Sequence, residues 1–251
     1  MVPSLFAAAG IGFILGLRHA CEPDHLAAVS TLATRQGGGG GGGAGEGSGG
    51  GKRSRLGDGV RLGMAWGIGH TLTVGFVATG VVALGLRFPA SLSSAAELFV
   101  ALLLVLLGLP VVLRYLLGRW HMHLHTHDGA AHVHLHSHAY GASHAHTHSV
   151  AGGGDRRRAL GLGLAHGLAG SAAIVVLLVA AAPTAVLRVA YFAAFGAGTI
   201  IGMATVSLAL AAFVRLASHR GTRWATALHV GSAAASVALG LMLAGKVLGG
   251  S

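Results

Sequence analysis

Apolar stretches of membrane-spanning length alternate with polar segments along the 251-residue chain. They fall near 4–33, 61–86, 91–117, 159–183, 185–216 and 224–248, each near or beyond the roughly 20 residues that carry a helix across a bilayer. The pattern predicts an all-α fold: a single polytopic membrane domain, 1–251, with about six transmembrane helices. The first stretch is interrupted. In "LGLRHACEPDHLAAV" (15–29), Arg18, His19, Glu22, Asp24 and His25 stand between the apolar runs Leu5–Leu17 and Leu26–Ala33.

An ionisable residue at bilayer depth costs several kcal/mol, so it marks a functional position facing the interior of a helix bundle. On an ideal helix Asp24 lies about 140° and His25 about 240° around from His19, so the three do not share a face. Pro23 changes this. It has no N–H to offer the carbonyl of residue 19 and its ring clashes there, which predicts a kinked or unwound segment that gathers His19, Asp24 and His25 and frees a carbonyl beside them. Irregular backbone at membrane depth belongs where protein buries it or where it lines a cavity, and broken helices of this kind mark binding sites in transporters.

Two more histidines join the set. "GMAWGIGHTLTVG" puts His70 inside the second helix and "GLGLAHGLAGSAA" puts His166 inside the fourth. Counted from the helix ends, His25, His70 and His166 share a depth of roughly 12–15 Å from the cytoplasmic boundary. Gly63/Gly67 and Gly163/Gly167 have the small-xxx-small spacing that lets helices approach closely, as do Gly198/Gly202 in the fifth helix, where Thr199 is a polar lining candidate. The second and fourth helices share a small-x-small-His pattern and a direction, which suggests that they are counterparts in duplicated halves. Imidazole nitrogens with a carboxylate suit first-row divalent metals. Glu22 is a further ligand, a base supporting one, or a partner of Arg18. Cys21 reads as small packing, and His229 as an interfacial residue or an outlying candidate.

Composition agrees with the membrane reading. Hydrophobic residues make up 53% of the chain, charged residues 10%, and mean hydropathy is +0.70. Soluble domains average about a quarter charged residues. "MVPSLF" lacks the basic start of a signal peptide. Cys21 is the single cysteine, so no intrachain disulfide forms. The net charge of +10 and the pI near 11.4 are not spread at random. Arg35, Lys52, Arg53, Arg55 and Arg61 lie between the first two helices, Arg114, Arg119 and Arg156–Arg158 between the third and fourth, and Arg215, Arg220 and Arg223 between the last two. The alternate side has Arg87, Arg188 and Lys246. This positive-inside pattern predicts a multi-pass membrane protein with both termini outside the cytoplasm, expected in a bacterial inner membrane, and gives no reason to invoke nucleic acid.

Two segments are low in complexity. Residues 37–51, "GGGGGGGAGEGSGGG", hold twelve glycines in fifteen positions and read as a flexible linker. The following "GGGKRS" is not a phosphate-binding loop, because Glu46 replaces the first required glycine and Arg53 the magnesium-holding Ser or Thr. Residues 121–148 carry eleven of the seventeen histidines, mostly as His-x-His, and read as a cytoplasmic metal buffer or collecting arm too flexible to be a defined site.

The motifs resemble those of a known family. "RHACEPDHLAAV" resembles the His-x4-Asp-His signature of the nickel/cobalt transporter family, and "GIGHT" its Gly-His-Ser/Thr motif. "HGLAGSAA" and "FGAGTIIGM" are similar to the shorter, six-helix NicO branch, which includes urease-accessory membrane proteins. The resemblance implies a Ni²⁺ or Co²⁺ permease with His19, Asp24, His25 and His70 at the metal site, and it points to urease or hydrogenase maturation proteins as partners. Some relatives with histidine-rich loops export metal instead. The extra first helix and the later acidic signatures of longer family members are missing here. The expectation is transport of a divalent ion through His19, Asp24 and His25, completed by His70, His166 and Glu22, with the ion as cargo and no resident cofactor. An intramembrane metalloenzyme is the rival from another class, but the membrane helices hold no His-Glu-x-x-His pair. A non-transporting metal store or sensor built on 121–148 would leave the intramembrane ligands idle.

Overall fold

The computed structural model describes residues 4–37, 51–84, 90–117, 120–127, 130–137, 153–168, 179 and 182–249. These form α1 (Leu5–His19), α2 (Pro23–Gly37), α3 (Gly51–Leu84), α4 (Ala90–Leu116), the strands β1 (Trp120–His127) and β2 (Ala130–Ser137), α5 (Gly153–His166), α6 (Ala185–His219) and α7 (Thr222–Leu248). Gly57–Leu84, Ser91–Leu116, Ala185–Ala217 and Arg223–Leu248 are long and apolar enough to cross a bilayer, and α1 with α2 makes a fifth span if the bent pair counts as one. Large apolar side chains such as Phe6, Leu72, Phe76, Val186, Phe213 and Leu241 face outward, a surface suited to lipid. The protein is a polytopic α-helical membrane protein. Of the stretch 159–183, the positions 169–178 and 180–181 lie outside the described residues, so the described spans number four to five where the sequence suggests about six.

Other boundaries differ from the apolar runs. α3 begins at Gly51, before the run that starts at 61, so Lys52, Arg53 and Arg55 stand on a helix and not in a connection. The central part of the glycine-rich linker, 38–50, is outside the described residues. The histidine-rich segment, expected to be a flexible arm, contains an antiparallel hairpin with His121 opposite His136, His123 opposite His134 and His125 opposite His132. Alternation of histidine with Leu, Val and Thr suits a pleated pair.

The break in the first span follows from the sequence around Pro23. α1 ends in a tightened turn: Cys21 N–H donates to the Arg18 carbonyl and Glu22 N–H to that of His19. Pro23 is then the first residue of α2, a position that needs no N–H and where its fixed φ fits. The two helix axes differ by 53°. Proline thus starts a helix here more than it unwinds one, and the His19 carbonyl, expected to be freed, is taken by Glu22.

Glycines set the helix pairing. From Gly12 to Gly16 on α1, the backbone met on α6 moves from Tyr191 to Phe195 and Thr199, so α1 and α6 are parallel. From Gly63 through Gly67 to Gly75 on α3, the contacts move from Met203 through Ile200 to Phe192, so α3 and α6 are antiparallel. Gly163 and Gly167 of α5 meet Trp66 and His70, then His70 and Thr73, so α5 and α3 are parallel.

These contacts come in reciprocal pairs. A Cβ on Gly16 would strike the Phe195 carbonyl and the Thr199 nitrogen; one on Gly163 would strike the Trp66 carbonyl and the His70 nitrogen. Gly198 lies against Phe13 and Leu17, and Gly69 against Leu160 and Leu164. Gly67 meets Ile200 while Gly196 meets Thr71. In the third pair, Gly108 of α4 meets Ala233 and Val237, and Gly240 of α7 meets Ala101 and Val105. Every one of these contacts maps onto its partner when α1 is exchanged with α5, α3 with α6 and α4 with α7, and α1 and α5 run in opposite directions. The architecture is an inverted repeat. Its sequence trace is "LGLRH" (15–19) against "LGLAH" (162–166). The helix ends match too: α5 stops at His166 as α1 stops at His19, with Leu168 N–H donating to Ala165 as Cys21 donates to Arg18. The counterpart of α5 is therefore α1, and α3, its expected counterpart, is instead the neighbour it packs against.

Candidate metal centre

Four elements deliver the polar residues to one place. α1 ends at His19, α2 opens with Asp24 and His25, α3 brings His70 from mid-helix, and α5 ends at His166. The four histidines are buried, His25 and His70 completely. The 53° turn is what lets His19 and His25 meet, with ring centroids 4.6 Å apart. Gly163 and Gly167 bring the α5 backbone onto α3 beside His70, which draws His166 inward.

The hydrogen bonds divide the donors. His19 Nε2 lies 2.8 Å from His70 Nε2. The carboxylate of Asp24 accepts from His25 Nδ1 at 3.1 Å through one oxygen and from His166 Nε2 at 2.9 Å through the other. Glu22 accepts from His19 Nδ1 at 3.1 Å. Carboxylates are acceptors, so these contacts fix tautomers by their partners' chemistry. His19 carries its proton on Nδ1 and presents the Nε2 lone pair, and His70 then donates from Nε2. His25 carries its proton on Nδ1. Two buried ring nitrogens, His25 Nε2 and His70 Nδ1, have no hydrogen-bond partner among the described residues. An unpartnered imidazole nitrogen inside a protein is costly unless something with positive character reaches it.

Two triads have ligand atoms within 4.8 Å of one another: His19, His25 and His70, and Asp24, His25 and His166. Both can hold a metal ion. Glu22 belongs to neither; its side chain is 36% exposed and it orients His19 from behind. Cys21 is exposed and also outside both triads, as is buried His229 on α7. Thr199, the α6 counterpart of His70, donates to the Gly16 carbonyl at 3.4 Å.

Two aromatic residues that the apolar pattern did not single out close the ends of the cluster. Phe195 packs on the His19 ring at 5.5 Å and Trp66 on the His166 ring at 5.6 Å. With His25 lying 4.6 Å from His19 and 4.5 Å from His166, the rings touch in the order Phe195, His19, His25, His166, Trp66, edge to face or tilted. Phe195 and Trp66 are repeat counterparts. The sequence trace that bears on them is the match of "LGLRH" (15–19) with "LGLAH" (162–166), which aligns α1 with α5; the ring contacts themselves come from tertiary packing.

The chain is similar to the urease accessory protein UreH of Bacillus sp. (strain TB-90), with 29% identity over 193 residues, or 77% of this chain and 71% of that protein. No family model matches the chain, and no solved structure matches it.

Proposed function

We propose that the protein is a permease for Ni²⁺ or Co²⁺ that passes the ion through the histidine–aspartate cluster between α1, α2, α3 and α5. One observation carries this reading. Four buried histidines and a partly buried carboxylate from four elements of a membrane bundle meet around a helix break, where unpaired polar groups are costly. His19, Asp24, His25, His70 and His166 are the ligands, and Glu22 fixes the tautomer of His19. Nitrogen donors with one carboxylate match the borderline ions of the first transition row better than Mg²⁺ or Ca²⁺, which prefer oxygen. An inverted repeat with its polar site at the interface of the halves, on a broken helix, suits alternating access. The relative's designation as a urease accessory protein agrees with the nickel/cobalt resemblance of the motifs and with a partner in urease maturation.

In this reading 159–183 forms the sixth span, the termini lie outside the cytoplasm, and the histidine-rich segment 121–148 buffers the ion on the inner side. Binding replaces protons or hydrogen bonds on imidazole by the metal, so loading consumes the His19–His70 and His166–Asp24 contacts. The test is isotope flux of Ni²⁺ and Co²⁺ into and out of proteoliposomes, with Zn²⁺ and Mg²⁺ as comparisons. Saturable Ni²⁺ or Co²⁺ flux is expected, and its direction under a gradient separates uptake from efflux. Absence of flux for both ions in either direction would overturn the proposal. Loss of all metal binding on deletion of 121–148, with no flux to lose, would indicate a store.

A further inference from the structure

We infer that the cluster is two ion positions in series, His19/His25/His70 and Asp24/His25/His166, which share His25 and pass one ion between them. The inference rests on the transport reading for the passage of the ion and on geometry for the two positions.

The spacing of the donors comes first. Two nitrogens bound at about 2.0–2.1 Å and at right angles on one ion lie about 2.9 Å apart. His19 Nε2 and His70 Nε2 are 2.8 Å apart, and Asp24 Oδ2 and His166 Nε2 are 2.9 Å apart. Each pair, hydrogen-bonded as it stands, lies within about half an ångström of the separation that right-angle or tetrahedral coordination of one ion requires. The donors do not form one set: among the described residues, no group of ligand atoms within 4.8 Å of one another contains both His70 and His166.

His25 joins the pairs. Its Nδ1 is engaged with Asp24, while its Nε2 is buried without a hydrogen-bond partner among the described residues. Its ring lies within 4.5–5.1 Å of the His19, His70 and His166 rings. Nε2 serves the His19/His70 position while Nδ1 keeps its proton against Asp24, and Nδ1 serves the Asp24/His166 position once that proton has moved to Nε2. An ion moving between them leaves one nitrogen of the His25 ring and is taken up by the other, so the two positions have this residue in common.

The repeat gives the two positions their order. His19 and His166 are counterparts that arrive on α1 and α5, helices running in opposite directions. Phe195 caps the first and Trp66 the second. Gly67 faces Ile200 and Gly196 faces Thr71, so α3 and α6 cross antiparallel between these residues. Trp66 and Phe195, each just before the crossing on its own helix, consequently lie on opposite sides of it. One position is next to one aromatic cap and the other next to the opposite cap. Two dications held together would share a single, partly buried carboxylate among buried histidines, so the positions fill in turn.

The experiment uses the full-length chain with the eleven histidines of 121–148 replaced by serine, so that bound Co²⁺ reports the intramembrane donors. Co²⁺ absorption is titrated in detergent, and flux is read in proteoliposomes. His70→Ala should leave the Asp24/His25/His166 position, and His166→Ala the all-nitrogen position. Each variant should bind one Co²⁺ within about ten-fold of the parent affinity, with distinct visible spectra, while flux falls at least about 100-fold in both. His25→Ala should lose binding and flux together. His70→Gln and His166→Gln, which keep a polar side chain, repeat the comparison should an alanine variant fail to fold. A single shell predicts that His70 and His166 variants lose Co²⁺ as completely as His25→Ala, and that result, parent-level flux in either variant, or a parent that binds no Co²⁺ would overturn the inference. Separate spectra from a parent without flux would retire the transport reading and keep the two positions; flux with one indivisible shell would do the reverse.

Discussion

Between α1 and α6, Gly16 lies on the backbone of Phe195 and Thr199; between α5 and α3, Gly163 lies on that of Trp66 and His70. The backbones of the two halves pack by one plan, yet their chemistry differs. The first half holds His19, Glu22, Asp24, His25 and His70. In the second, His166 answers His19, and Thr199 stands where His70 would be matched. In the sequence "LGLRHACEPDH", Asp24 and His25 correspond to Ser171 and Ala172 of "LGLAHGLAGSA". Packing contacts constrain the backbone of both halves alike, because a Cβ at any of these glycines collides with main-chain atoms that cannot yield. The potential ligands are not shared alike: the first half supplies His19, Asp24, His25 and His70, and the second supplies His166. A symmetric scaffold is thus combined with an asymmetric set of potential ligands, in which His25 belongs to both triads.

The largest expected effect breaks this asymmetry directly. Asp24→Asn removes the one carboxylate common to His25 and His166 and leaves a dication among neutral donors. A loss of about 3–5 kcal/mol in ion stabilisation, 100-fold or more in flux, is expected. Thr199→Val in the other half should stay within about two-fold of the parent. Proteoliposome Ni²⁺ flux checks both, and equal losses would mean that the second half carries as much of the ligand set as the first.

The shared packing is tested by matched glycines. Gly16→Leu and Gly163→Leu should each destabilise the folded protein by about 3 kcal/mol or more, since both side chains would run into backbone. Gly10→Ala and Gly161→Ala, which meet nothing within 4 Å, should be neutral or stabilise by up to about 1 kcal/mol through helix propensity. Thermal unfolding in detergent provides the comparison. A large cost at Gly16 with none at Gly163 would break the equivalence of the halves.

A smaller effect is expected at Glu22. Its carboxylate, 36% exposed, holds His19 Nδ1, whereas His166 is held by the less exposed Asp24, at 17%. Glu22→Gln keeps the shape and can still accept a hydrogen bond, but it loses the charge. The apparent affinity for the ion should weaken about ten-fold with maximal flux retained. A complete loss of transport would make Glu22 a ligand instead of a support.

Much of the centre could be read from the chain because its residues break a strong pattern. His19, Asp24, His25, His70 and His166 are polar insertions in apolar runs, and Pro23 marks the break between His19 and His25. The role of Pro23 was harder to read. Whether a proline unwinds a helix or starts the next one depends on whether the preceding turn tightens, as it does at Cys21 and Glu22. α5 gave no such warning: His166 ends it with no proline in the next residues, so 159–183 read as one continuous run. The repeat was hidden by direction. Pairing the second helix with the fourth matched helices pointing the same way, whereas an inverted repeat equates helices that point in opposite ways. Phe195 and Trp66 looked like ordinary apolar residues because their meaning lies in which ring each touches, and that is set by tertiary packing alone.

The smallest effect concerns the third pair of helices, where the symmetry is broken by one hydroxyl. Gly108 and Gly240 make matched contacts across α4 and α7, which places Leu104 and Ser236 opposite one another between them. Ser236 is fully buried and its hydroxyl donates to the Leu104 carbonyl at 2.9 Å. That carbonyl sits inside α4, where helical bonding already occupies it, so losing the hydroxyl strands no acceptor. Interhelical hydrogen bonds of this type inside membrane proteins average about 0.6 kcal/mol, with a maximum near 1.7 kcal/mol. Ser236→Ala removes the donor and one small atom, leaving little to refill. It should therefore lower unfolding stability by about 0.6–1 kcal/mol and leave Ni²⁺ flux unchanged, since neither helix contributes a residue to the ion positions. Ser236→Leu would restore the chemical match with Leu104 yet force a large side chain against a packed neighbour, at a cost of about 1–3 kcal/mol. If the leucine variant instead proved more stable than the alanine one, α4 and α7 would have room between them that the close Gly108 and Gly240 contacts deny.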